Sequence, residues 1–460
     1  MTLKIKNKRY QHLFHKLSAI IKDSKYKNKV YVSGETLAYF LAGKTPYTFE
    51  ITVDIVNGSA VIGNWLAIKT GCMVLNQNPI VDNESGISIL RLTNDNECND
   101  IIIVVREMKM VEYSSSPARR FGTMSSDATL RSVSINALYY SFCDNLIYDP
   151  LKYGFKDTDS KTVRCAITPD IYFRNEPSNI LALIREASEL GYGICLDTWL
   201  SIVKNAHRVI TSHGDDSMNY EFKKILQMET PSIALRRMLN SGVMHFFCED
   251  MADENGISCK FTDDLFEYTV DCMDKVSPNH ITRLAAMYHG MGFIIGNSPS
   301  SQFNVSADVA GLGVLDFGLS LAEAERVSNI ITSLNYLYDM NRKSAIPERR
   351  LKKFISSAGK DLKPAIELLS AMNCCRNDIK ENHTTCVIKA VMSTVEKMEK
   401  EKIQLPVNGF DIQKELKVGK GPLISKCLDA IREEFEKNPS MTRDDCLSVA
   451  EHFYSVSTSK

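Results

Sequence analysis

The residues best equipped for binding chemistry lie near the start of the chain. Residues 1–30 hold nine Lys or Arg against a single acid, Asp23. Lys6, Lys8, Arg9 and Lys16 interleave with Tyr10, His12 and Phe14, which combines cations for phosphate with rings that can stack on bases. The same run also reads as an amphipathic helix, with Leu13, Phe14, Leu17 and Ile20 turned inward and the basic residues on a solvated face. His12 and His15 then read as surface residues of that helix. None of the nine His residues clusters at metal-ligand spacing. The thirteen Cys form no C-x-x-C and come close only at Cys374-Cys375, so reduced thiols are expected. G-x-x-x-x-G-K-[ST], G-x-G-x-x-G after a strand, H-E-x-x-H and G-x-S-x-G are all missing. The phosphate-loop, zincin and hydrolase-elbow chemistries therefore have no signature here.

The elements that would position a site fall into two classes. Val30-Tyr-Val-Ser33 predicts a short strand entering a turn at Gly34, and residues 35–42 a short helix closed by Gly43. The β-branched run 49–56 predicts a strand, as do Ile89–Leu92 and Ile101–Val105, with a helix over Val61–Thr70. Beyond about residue 178 the pattern turns helical. Asn179–Leu190 keeps a 3.6-residue period and stops at Gly191, and Pro177 suits a first turn. Further helices are predicted over 196–211, 218–227, 231–240, 264–276, 279–289, 320–338, 346–357, 361–373, 384–402, 409–416, 421–437 and 441–455. Loops are predicted near 212–217 and 295–313. The expected class is α+β, a small head that mixes strand and helix followed by a large all-α portion.

Composition sets outer limits. At 460 residues the chain has room for about three domains. Its 44% apolar and 24% charged residues are ordinary for a globular protein and exclude disordered, collagen-like and coiled-coil classes. Lys plus Arg number 55 and Asp plus Glu 56, a net charge of −1. That excludes a globally basic nucleic-acid binder but leaves room for a local patch. No window of about 18 uninterrupted apolar residues occurs, so no membrane helix is expected. The opening Met1-Thr-Leu-Lys-Ile-Lys6 lacks the apolar stretch of a signal peptide, and a cytoplasmic location is expected.

One ordered series of motifs runs through the head. Gly34 to Gly43 is followed by Thr48-Phe-Glu50, by Leu130-Arg-Ser-Val-Ser-Ile-Asn-Ala-Leu138, and by Asp149-Pro150 with Gly154 and Asp157. Asn175-Glu-Pro-Ser-Asn-Ile-Leu-Ala-Leu-Ile-Arg185 closes it. Its order and spacing resemble the tRNA nucleotidyltransferase (CCA-adding enzyme) and bacterial poly(A) polymerase family. That family's pattern is G-G-x-x-R-D-x-L-L-G, D-x-D, R-R-D-F-T-I-N-A-L, D-P-x-x-G-x-x-D-L and E-D-P-x-R-x-L-R-x-x-R. Downstream, Tyr268-Thr-Val270 and Leu284–Gly292 resemble the H-T-L and L-A-A-L-L-H-D-I-G signatures of a fused HD-type region. Pro406–Ile412 and Val418–Ile424 resemble the family's tail.

The resemblance implies an α+β fold with a polymerase-β-type nucleotidyltransferase head holding a mixed sheet over 1–165, a nucleotide- and RNA-binding-like helical neck over 166–258, a degenerate HD-like body over 259–345 and a helical tail over 346–460. It also implies a site. In the family the two acids of D-x-D hold Mg²⁺ ions that activate a 3′-hydroxyl and steady the triphosphate. Their positions here are Thr48 and Glu50, so Glu50 at most could hold a metal. The nucleotide-binding-like positions are Gly34, Arg131, Asn136, Glu176, Asn179 and Arg185. Several neighbours depart from the pattern: Glu35 replaces the second Gly, Ala38 and Tyr39 replace R-D, Leu130 and Ser132 flank the surviving Arg131, and Ala182 replaces an Arg. In the HD-like region Tyr268 stands for the metal-binding His, and Gly290 follows His289 where Asp is expected. His289 is therefore expected to be a partly buried structural residue.

Positions that build the fold are kept, and those that bind metal, triphosphate and base are changed. The expectation is a diverged, catalytically inactive family member that binds a tRNA-like RNA, with Lys6, Lys8, Arg9 and Lys16 as candidate contacts. Mg²⁺ and a nucleoside triphosphate enter only if activity persists. Two alternatives stay open: an altered but active nucleotidyltransferase in RNA 3′-end processing, and a protein-interaction scaffold, as a homodimer or with another protein.

Overall fold

A computed structural model describes residues 3, 5–78, 86–93, 98–112, 118–211, 216–248, 263–290, 299–341, 347–375, 381–400, 405–417, 421–438 and 440–458. They form two compact units, Met1–Tyr338 with Lys360–Ile379, and Asp339–Gly359 with Lys380–Lys460.

The first unit begins with α1 (Lys8–Lys22), started by Asn7, whose side chain accepts from the N–H groups of Arg9 and Tyr10. Tyr10, Leu13, Phe14, Leu17 and Ile21 are its buried residues. Tyr10 stacks on Phe49 at 6.5 Å, and Phe14 lies 5.4 Å from both Tyr140 and Phe142. These rings belong to the head core and are not free to stack on bases. Burial pushes the Tyr10 hydroxyl up to about 12. Ile21, four residues after Leu17, takes the inner position expected of Ile20, which is only half-buried.

The head then runs β1 (Val30–Ser33), α2 (Gly34–Ala42), β2 (Phe49–Val53), α3 (Gly58–Thr70), β3 (Cys72–Asn78), β4 (Ile87–Leu92), β5 (Ile102–Glu107), β6 (Lys109–Glu112), β7 (Ala118–Phe121), α4 (Met124–Ala128), β8 (Tyr139–Ser141) and β9 (Ile147–Tyr148). Seven strands form one sheet in the order β3-β4-β5-β2-β1-β8-β9. β2 and β5 are parallel and the remaining pairs antiparallel, the mixed sheet that the resemblance implies. Gly43 ends α2 in the left-handed region at φ +68°. The edge strand β3 and the hairpin β6–β7 escape the sequence reading. Met73, Val74 and Leu75 of β3 are all exposed, so no alternation marks it.

Helices dominate the chain beyond the head: α5 (Gly154–Asp159), with β10 (Thr162–Val163), then α6 (Pro169–Asn175), α7 (Ser178–Leu190), with β11 (Gly193–Ile194), α8 (Leu196–Asn205), α9 (Arg208–Thr211), α10 (Asp216–Gln227), α11 (Pro231–Asn240) and α12 (Val243–Cys248). Next come α13 (Asp263–Lys275), α14 (His280–Tyr288), α15 (Pro299–Gly313), α16 (Leu321–Asn341), α17 (Glu348–Ala358) and α18 (Leu362–Cys375). Two predictions need correction. The helix expected over 196–211 breaks after Asn205 into α8 and α9. Most of the loop expected over 295–313 is α15, because Phe303, Ala307 and Ala310 recur at helical spacing and are buried. The 258/259 boundary and residues 418–420 lie outside the described residues.

The second unit contains α17 with α19 (Glu381–Lys400), α20 (Gly409–Leu416), α21 (Pro422–Lys437) and α22 (Arg443–Thr458). Val407, Ile412, Cys427, Ile431, Phe435, Cys446 and Leu447 form its core. A capping box between Asn408 and Asp411 starts α20. Among the described residues, no helix is long and apolar enough to cross a membrane.

Candidate functional site

The site is built where α2 meets the middle of the sheet. The Thr36 hydroxyl donates to the Thr48 carbonyl at 2.9 Å and accepts from the Glu50 N–H at 2.7 Å, fixing the entry into β2. Glu50 lies opposite Val104 of β5, and Thr52 opposite Arg106. Strand parity puts Glu50, Thr52, Val104 and Arg106 on one face. Gly34 is required twice over. Its φ is +63°, and a Cβ there would lie 2.5–2.6 Å from the Glu50 carboxylate.

The Glu50 carboxylate is buried, and the Arg131 guanidinium holds it in an ion pair. Arg106 Nε lies 3.8 Å away. Arg131 also donates to Thr52 Oγ1 at 2.8 Å, and through Nη2 and Nε to Asp127 Oδ2 at 2.8 and 3.1 Å. Asp127 further accepts from the Tyr139 hydroxyl at 2.6 Å and the Lys109 N–H at 3.1 Å. Burial works against the Arg131 charge, but Asp127, Tyr139 and Glu50 outweigh it and hold this pKa well above its ordinary value.

This arrangement does not fit the metal pair that the resemblance implies. Thr48 is neutral, the one carboxylate is committed to a guanidinium, and a second cation stands nearby. Mg²⁺ is held by one or two free carboxylates together with substrate phosphates and water, and here the single carboxylate is already paired with a guanidinium. Among the described residues, no group of three or more His, Cys, Asp or Glu is arranged to hold a metal ion.

Gly34, Thr48, Glu50, Arg131 and Asn136 line a cavity of about 460 Å³, which Arg106 and Lys224 also enter. A second cavity of about 450 Å³ is lined by Glu176, Asn179, Ala182, Tyr220 and Glu221. Tyr220 borders both. Arg185 lines neither. It is buried, and donates to Glu221, Glu189 and Glu35 at 2.7, 2.8 and 2.9 Å. Asn136 turns its amide to Glu186 at 2.8 Å. The basic residues of the N-terminus lie along another part of the head: Lys6, Lys8 and Arg9 are exposed, Lys16 half-buried, and Arg9 donates to the Asn99 carbonyl.

Sequence reasoning misses Asp127, Arg106, Glu186, Glu189 and Glu221. Asp127 precedes Arg131 by four residues and Glu189 follows Arg185 by four, a spacing that pairs opposite charges on a helix. Arg106 lies one residue past the apolar run of β5, and only the strand register aims it at Glu50.

In the body, His289 is completely buried, more than expected, because α14 is covered on every side from Ile281 to Tyr288. Its Nδ1 lies 2.6 Å from the Ala286 carbonyl, which can only accept, so Nδ1 carries the proton. Nε2 lies 3.3 Å from the Tyr268 hydroxyl. The ring is built into the helical packing of the body.

No protein-family model matches the chain. By sequence it is similar to the mitochondrial CCA tRNA nucleotidyltransferase of Saccharomyces cerevisiae, 25% identical over 215 residues. That stretch is 44% of this chain and 39% of the yeast enzyme. It is also similar to poly(A) polymerase I of Escherichia coli, 35% identical over 78 residues, 17% of each chain. Its fold is that of the Bacillus stearothermophilus CCA-adding enzyme solved in complex with CTP, with a TM-score of 0.57 at 16% identity, over 97% of this chain and 99% of that one. These likenesses fit a diverged member of the tRNA nucleotidyltransferase and poly(A) polymerase family. Motif positions shared with the family have structural work here: a Cβ on Gly154 would lie 2.5 Å from Leu138, and buried Asp157 accepts from the Ser134 hydroxyl at 2.5 Å.

Proposed function

We propose that this family member has lost nucleotidyl transfer and binds a tRNA-like RNA. The observation that carries the first half is the Arg131 guanidinium on Glu50, with neutral Thr48 beside it. An internal cation offsets the only carboxylate of the pair, so the divalent ions needed for in-line displacement have no adequate ligand set. Losing a metal ligand removes transition-state stabilisation of several kcal/mol, on the order of 10³-fold or more in rate. The second half rests on the yeast relative's tRNA substrate and on the N-terminal cations. Lys6, Lys8, Arg9, Lys22, Lys25, Lys27 and Lys29 stay exposed while the apolar residues of α1 enter the core.

The test incubates the pure protein with a tRNA lacking its 3′ end, Mg²⁺ or Mn²⁺, and labelled CTP and ATP. The expected result is no incorporation, alongside a shifted tRNA band at about 50 mM salt. Neutralising Lys6, Lys8, Arg9 and Lys16 should weaken binding similarly across sequences. It should also flatten the salt dependence by about 0.7–0.9 for each phosphate that is no longer neutralised. Incorporation of CMP or AMP would favour an altered enzyme instead. An unshifted band in the parent would remove the RNA half of the proposal.

A further inference from the structure

Around Arg185 the charges do not balance. Glu35, Glu186, Glu189 and Glu221 converge on one buried guanidinium. Among the described residues, the only other cation paired within the group is Lys224, 3.6 Å from Glu221. With all four carboxylates ionised the cluster would carry four negative charges against two positive, largely away from water. Such a site lowers its energy by keeping a proton.

The geometry identifies where the proton resides. Arg185 Nη2 donates to Glu35 Oε1 at 2.9 Å and lies 3.8 Å from Glu186 Oε1, so both carboxyl groups crowd one nitrogen. Glu35 has the better share of the guanidinium and remains charged. Glu186 is buried, and its other oxygen accepts from Asn136 Nδ2. Its Oε1 is the less engaged edge, with the Ser132 hydroxyl 3.4 Å away. We propose that Glu35 and Glu186 form a proton-dependent latch that fastens helix α2 of the head to helices α7 and α10. Glu35 is on α2, Arg185, Glu186 and Glu189 are on α7, and Glu221 and Lys224 are on α10. The proton on Glu186 turns a repulsion between two carboxylates into a hydrogen bond.

The surrounding groups agree. Tyr39 and Tyr47 both donate to Glu189, Tyr47 at 2.7 Å, so that carboxylate is already partnered without the proton. Tyr172 on α6 and the Cys165 thiol are pushed up by their own burial and stay neutral. Burial, followed by the Glu35 charge, drives the Glu186 carboxyl well above the usual range. Burial also pushes Glu35 up, but Arg185 more than reverses this and holds it at about 2. For Glu186 the folded pKa exceeds the unfolded one. Its contribution is complete below the unfolded value of about 4.3 and is lost as pH rises through the folded value. The latch loosens with alkalinity.

The test compares the full chain with Glu186→Gln and Glu35→Gln, and does not depend on catalysis or RNA. Infrared difference spectra of the parent at neutral pH should show the C=O stretch of a protonated carboxyl group that Glu186→Gln abolishes. Over the window in which Glu186 titrates, the parent's unfolding equilibrium should favour the unfolded state by up to about tenfold more per pH unit. That component should be missing in Glu186→Gln. In Glu35→Gln, with the like charge gone, the infrared band should titrate away at lower pH. A band that survives in Glu186→Gln, or equal pH slopes in parent and Glu186→Gln, would overturn the proposal.

Discussion

The cluster around Glu50 and the cluster around His289 solve opposite problems. In the head, two buried carboxylates share one guanidinium, with Arg106 nearby. In the body, a buried imidazole lies between a carbonyl and a phenol. The first arrangement stores large opposing terms, because each charge has left water and depends on its partner. The second rests on hydrogen bonds to a carbonyl and a hydroxyl, which replace bonds to water of similar strength. Loss of a side chain should therefore be costly in the head and mild in the body, although both clusters lie in the interior.

The sharpest way to break this contrast is Arg131→Met. It strands Glu50 and Asp127 without their cation and should cost about 3–5 kcal/mol in urea unfolding. A loss under about 1 kcal/mol would mean that water or Arg106 already neutralises Glu50. Gly34→Ala comes next. It combines a strained left-handed backbone with displacement of the Glu50 carboxylate and should cost about 2–4 kcal/mol, read from the same melts. Tyr268→Phe removes the hydroxyl that meets His289 and Cys272, and about 0.5–1.5 kcal/mol is expected for each hydrogen bond lost. A larger loss would show that the body cluster is as tightly coupled as the head. Lys8→Gln and Lys25→Gln lie on exposed surface outside both clusters, and each should leave stability within about 0.5 kcal/mol.

Most of the helical framework is legible in the sequence because apolar residues at a 3.6-residue spacing leave a direct trace. Gly43 and Gly191, which close α2 and α7 in the left-handed region, are equally visible. The candidate site is legible only in part. Thr48, Glu50 and Arg131 can be aligned with motifs, but nothing in those motifs says that Arg131 rests on Glu50. That pairing joins β2 to the segment just past α4 across a separation of 81 residues. Arg106 depends on β2–β5 register, which no local pattern encodes. Tyr10 and Phe14 illustrate the reverse case, since a phosphate-and-stacking pattern and an amphipathic helix share one spelling. The burial of both rings in the head core decides between them.

The strand order of the head also bears on how the chain assembles. β1 pairs with β2 through a short connection, but its other edge is closed by β8, where Tyr31 faces Ser141 roughly 110 residues later. During synthesis the first edge can be satisfied almost at once. The second stays open until Tyr139–Ser141 leaves the ribosome, while Val30 and Val32, both fully buried in the finished head, lack part of their cover. Closing so distant a pair is slow, and an open strand edge invites pairing with other chains. Fragments ending before residue 139 should therefore aggregate, whereas fragments that include β8 can close the open edge of β1.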